Sequence, residues 1–194
     1  MRPSELLLTG LISAALAVAA PKAETSNSCP SDSPTAESYT WNFPGEATSI
    51  FRGVEADAHE ALKNADELES FTETPQISWQ GHALELADLR TEVNDMGAKL
   101  CRLESIRRVV APWQQKTIDD IASSLRLMAD NTEDAIQFLN SHHQDLWSPT
   151  YRKYLTNLFD EAHHLTKSTQ TAVHYESARD KYRNLRNELG VSGS

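Results

Sequence analysis

WQGHALELADLRTEVNDMGAKLCRLESIRRVV, residues 79–110, decides how this chain folds. Apolar side chains return along it at alternating steps of three and four: Ala83, Leu86, Leu89, Val93, Met96, Leu100, Leu103 and Val110, with Arg107 the one interruption. An α-helix brings a side chain back to the same face about every 3.6 residues, so this stretch reads as a long amphipathic helix. Three more stripes flank it. Ile50, Val54, Ala58, Ala61, Ala65 and Leu68 precede it. Ile118, Ile121, Leu125, Met128, Thr132, Ala135 and Leu139 follow, and then Tyr151, Leu155, Leu158, Ala162, Leu165, Thr169 and Ala172.

The punctuation between the stripes sets the helix count. Pro44 suits the first turn of a helix running to about Ser70, where a missing N–H costs nothing. Thr74-Pro75 reads as cap and first-turn proline of the second helix. Ala111-Pro112 reads as a tight turn, because proline inside a helix removes a hydrogen bond and clashes with the preceding turn. Phase agrees, since continuing the second stripe would call for apolar side chains at Gln114 and Thr117. Ser141 to Trp147 reads as a loop, Ser148-Pro149 as the start of the last helix, and Gly190 as its stop. Short connections make consecutive helices antiparallel, so the expectation is an all-α, up-down-up-down four-helix bundle over residues 44–190 with a long C-terminal helix. Strand signals are lacking, with no Asn-Gly or Asp-Gly turn and seven glycines in all.

The first residues point to a compartment. Arg2 precedes a short apolar run from Leu6 to Ala20, and Ala17-Val18-Ala19 has the small-x-small pattern of a signal peptidase site. Residues 1–19 therefore read as a signal peptide. The run is shorter than the roughly 20 residues that a membrane span requires, so no span is expected after cleavage. Residues 20–43 are rich in Ser, Pro, Thr and Glu and read as a flexible leader, closed by Trp41 and Phe43, which should dock on the bundle. Residues 191–194 read as a disordered tail. A secreted or periplasmic location follows. In such a compartment, the only two cysteines, Cys29 and Cys101, are expected to form a disulfide.

A formal charge of −10 argues against nucleic acid and against anionic membrane surfaces. The charge is uneven. Glu46 to Glu73 holds eight acids against Arg52 and Lys63, while Arg152 to Glu188 holds seven bases against five acids. Among the seven histidines, His59 is expected level with Glu161, His163 and His164 of the last helix. Imidazole and carboxylate ligands on facing helices are how bundle metal sites are made. Glu161-x-x-His164 has the di-iron spacing, but no second copy exists, and covalent haem of the usual kind would need a Cys-x-x-Cys-His that is not present.

Two functional classes emerge. The first is an exported, non-enzymatic helical-bundle protein acting through protein contacts as scaffold, adaptor or chaperone, with no cofactor. Its last helix outruns the first, and Ala178, Tyr182, Leu185 and Leu189 continue its stripe beyond Tyr175, with Arg179, Lys181, Arg183 and Arg186 around them. These suit a protein partner with an acidic surface, a neighbouring copy included. The competing class is a divalent-metal-binding bundle using His59, Glu161, His163 and His164.

Overall fold

The computed structural model describes Cys29, residues 42–74 and residues 76–190. The expected signal peptide, the leader apart from Cys29, Asn42 and Phe43, and the tail from residue 191 lie outside the described residues. Within them all regular structure is helical, and four long helices pack as neighbours around a square: α1 (Phe43–Thr72), α2 (Trp79–Ile106), α3 (Pro112–Ser141) and α4 (Pro149–Glu188). The four-helix bundle expected from the stripes is the fold observed.

Each helix begins where local chemistry favours it. The Asn42 side chain accepts a hydrogen bond from Gly45 N at 3.1 Å, and Pro44 occupies the first turn of α1. Ser148 does the same for α4, accepting from Tyr151 N at 3.3 Å with Pro149 in the first turn. Gly190, at φ +62°, ends α4 in the left-handed conformation that glycine adopts without strain.

The second helix starts later than expected. Its N-cap is Ser78 and its first residue Trp79, whereas the sequence suggested Thr74-Pro75. The Thr74 hydroxyl donates to Ser70 O at 3.2 Å, so it serves the end of α1 rather than the start of α2. A Thr near a helix terminus satisfies orphan groups on either side, and here the carbonyl side won.

The α2–α3 break falls where it was expected. Residues Arg107–Val109 tighten into a 3-10 turn, Val110 and Ala111 are extended, and Pro112 opens α3. Arg107, the interruption in the stripe, leaves the core face in this turn and grips Asp119 through contacts of 2.7 to 3.1 Å. Gln114 and Thr117, taken in sequence as signs of a broken stripe, are nevertheless buried. Gln114 Oε1 accepts from Ala111 N at 3.1 Å, while its Nε2 donates to Pro44 O at 2.8 Å and to Thr48 Oγ1 at 3.3 Å. One amide thus caps α3 and ties its start to the start of α1.

The stripes form the core. Phe51, Leu68, Leu86, Leu89, Met96, Ile118, Met128 and Leu155 are among the largest fully buried side chains. Phe43 packs partly buried against them, as expected of the residue that closes the leader. Cys29 and Cys101 stand at disulfide distance, with Cα atoms 5.1 Å apart. Arg102, next to Cys101, pairs with Glu46 at 2.6 Å, which places Cys101 level with the first turn of α1.

Candidate contact surface on the C-terminal helix

The register of α4 against its neighbours is set by two side-chain bonds. Thr156 donates to Glu69 on α1 at 2.5 Å, and Asn157 donates to Asn131 on α3 at 2.9 Å. Counting along antiparallel helices from the first pair, the start of α1 at Phe43 falls opposite residue 182, and α4 projects beyond it.

The stripe on α4 changes character at Tyr175. Up to Val173 it is buried. Tyr175 instead lies across the outside of Trp113, ring centroids 5.0 Å apart, with half its surface exposed. Glu176 takes the inward position, its carboxylate 3.4 Å from Arg179. Beyond this point nothing described covers the stripe. Tyr182, Leu185 and Leu189 are 68%, 47% and 74% exposed, and Ala178 is exposed as well. Lys181 and Arg183 flank them in solvent, Arg183 pairing with Asp180 at 3.1 Å, and Arg186 is half-buried. Tyr182, Leu185, Arg186 and Leu189, all among the residues expected at a protein contact, therefore share one projecting segment. Tyr175 continues this surface down the helix, seven residues before Tyr182 and so on the same face. It lines a groove of about 500 Å³ between α3 and α4 together with Trp113, Lys116, Asp120, His164 and Lys167.

The opposite electrostatic feature is the α1–α2 seam. The late bases of α2 are matched to α1, Lys99 to Asp57 and Arg102 to Glu46. The early acids of α2 are not. Burial, then Glu67 and Asp88, push the Glu85 carboxyl above its ordinary range. Burial, then Asp57, Asp95 and Glu60, do the same to Glu92. The seam is thus a ladder of like charges, with Lys63 and Lys99 the cations that oppose it.

The histidines go elsewhere than to one site. His59 is exposed on α1 and, by the Glu69–Thr156 register, stands level with Thr166, almost a turn from His163. His163 stacks on Phe159 of its own helix, at 6.4 Å with rings 4° apart. His164 lines the groove facing α3, and Glu161 is half-buried. Among the described residues no three His, Cys, Asp or Glu side chains converge on a common point as metal ligands would. Sequence spacing alone did not show that the facing helices are offset by this much. Nor did it single out His82, which is fully buried with Nδ1 3.2 Å from Tyr151 Oη and with Phe71 at its ring edge. His142 and His143 close the α3–α4 loop by stacking on Phe138 and Trp79, each at 4.4 Å.

The chain matches no protein-family model, no curated protein and no solved structure.

Proposed function

We propose that this chain is an exported, non-enzymatic helical-bundle protein that acts through protein contacts, with the projecting end of α4 as its contact surface. One observation carries the reading: Tyr182, Leu185 and Leu189 keep helical spacing on a segment that the described bundle leaves exposed. Apolar residues grouped this way on a charged surface mark sites of association. A rim of Lys181, Arg183 and Arg186 adds charge that would steer an acidic partner. The N-terminal apolar run and the cysteine pair at disulfide distance support an oxidising compartment outside the cytoplasm.

Truncation after Lys181 tests the reading, because it removes the projecting stripe and keeps the Glu176–Arg179 pair. The expected outcome is a melting temperature unchanged within about 2 °C together with lost association. A fall of several degrees would mean that the segment stabilises its own bundle, and the contact reading would be abandoned.

A further inference from the structure

The tail of α4 carries a chemistry whose complement lies on the same chain. Residues 177–190 hold Arg179, Lys181, Arg183 and Arg186 against Asp180 and Glu188, a net positive segment in a protein of charge −10. The α1–α2 seam holds Glu60, Glu67, Glu85, Asp88, Glu92 and Asp95, with Lys63 and Lys99 the bases that oppose them. It also exposes an apolar side chain. Leu84 is 63% exposed and stands one turn before Asp88 on the outward face of α2. Tyr182, Leu185 and Leu189 on one surface and Leu84 on the other place apolar side chains among charges of opposite sign.

The tail cannot reach the seam of its own molecule. α4 is continuous to Glu188, and its end projects beside the start of α1, whereas the acidic rungs lie toward the α1–α2 turn. Contact between the two surfaces must therefore join two molecules. We infer that the tail of α4 docks on the acidic α1–α2 seam of a second copy of this chain. The inference rests on the contact reading above and names its partner. Two copies related by a two-fold axis would make the contact twice, whereas a one-way contact would extend into a chain of molecules. Burial first, and then neighbouring carboxylates, raise the pKa of Glu85 and of Glu92, and the second cause is one that an incoming guanidinium would relieve.

The test is sedimentation equilibrium on protein purified after export, at low and high salt. Wild-type protein is expected to associate with concentration at low salt and to dissociate as salt rises, because the steering charges are exposed. A tail reversal, Lys181→Glu with Arg183→Glu, should weaken association by about tenfold or more. A seam reversal, Glu85→Lys with Asp88→Lys, should do the same. Mixing the two reversed proteins should restore a heterocomplex, since each then offers what the other lacks. These side chains stand at or near the surface, and circular dichroism verifies that each variant is folded.

Wild-type protein that stays monomeric at every concentration in low salt would overturn the inference. If truncation after Lys181 still leaves the melting temperature unchanged, the contact reading stands with another protein as partner. If truncation lowers it, both fail. Association that survives seam reversal would also overturn the inference. So would tail-dependent binding to phosphatidylglycerol vesicles by a monomeric chain, which would make a lipid surface the occupant.

Discussion

His82 is the residue whose chemistry the bundle constrains most tightly. Its ring is enclosed by Phe71 and Tyr151, and burial holds its pKa below the ordinary 6.5. In the neutral ring Nδ1 can accept the Tyr151 hydroxyl proton, a role that protonation would abolish. Tyr151 is likewise held protonated, its pKa raised by burial. The linkage has a definite sign. Well above pH 6.5 the imidazole is neutral in folded and unfolded chains and contributes no slope. Below it the unfolded chain takes up a proton first, so stability falls with pH until the folded-state pKa is passed. Urea titrations from pH 7.5 downward should show this loss, and His82→Gln should flatten it. Glu85 and Glu92 act oppositely at lower pH. Their raised values mean that the folded chain binds protons first, so stability rises as pH falls toward 4.5. Glu85→Gln should therefore stabilise the protein at pH 7, a gain that thermal melts would register.

At the scale of the helix, Gln114 shows how one side chain fixes a junction. Its amide spans from Ala111 N to Pro44 O, joining the starts of α3 and α1. Gln114→Met keeps much of the shape but takes the acceptor from Ala111 N and leaves Pro44 O with the Thr48 hydroxyl as its side-chain donor, so chemical denaturation should show a loss of about 1–3 kcal/mol. The same residue marks where sequence reading ran out. Val93, Met96, Leu125 and Leu158 were legible as core because burial on a helix imposes a period that any window of chain displays. Gln114 and Thr117 were not, because their burial depends on partners: Pro44, seventy residues away, and the Trp113 carbonyl that Thr117 bonds. Thr74 misled for a related reason, being chemically suited to both helix ends that it separates. The exposed stripe from Tyr182 to Leu189 was half legible. Its spacing was plain, but whether other helices covered it depended on the axial offset that Glu69 and Thr156 set.

Over the whole molecule, charge and covalent closure are arranged by end. The end where α1 starts has the Glu46–Arg102 ion pair, with Asp57–Lys99 further along the same seam, and also bears the cysteine pair and the basic tail. The other end is packed with rings: Phe71, His82, Phe138, Tyr151, Trp79 and His143. Cys29 and Cys101 enclose a separation of 72 residues, which in the chain-entropy picture stabilises the fold by about 4 kcal/mol. Cys101→Ser should accordingly lower the melting temperature of oxidised protein by on the order of 10 °C. In reduced protein the same substitution should do much less. Scanning calorimetry of the four samples checks both statements.

The cysteine pair has a further consequence wherever this chain meets proteases. A cut anywhere between Cys29 and Asn42 severs the polypeptide but releases no fragment, because the piece before the cut stays moored to α2 through sulfur. The nicked molecule would run as one band on a gel without thiol and as two with it. Only a reductant would turn the nick into a departure, so the N-terminal peptide is kept on a leash that digestion alone cannot slip.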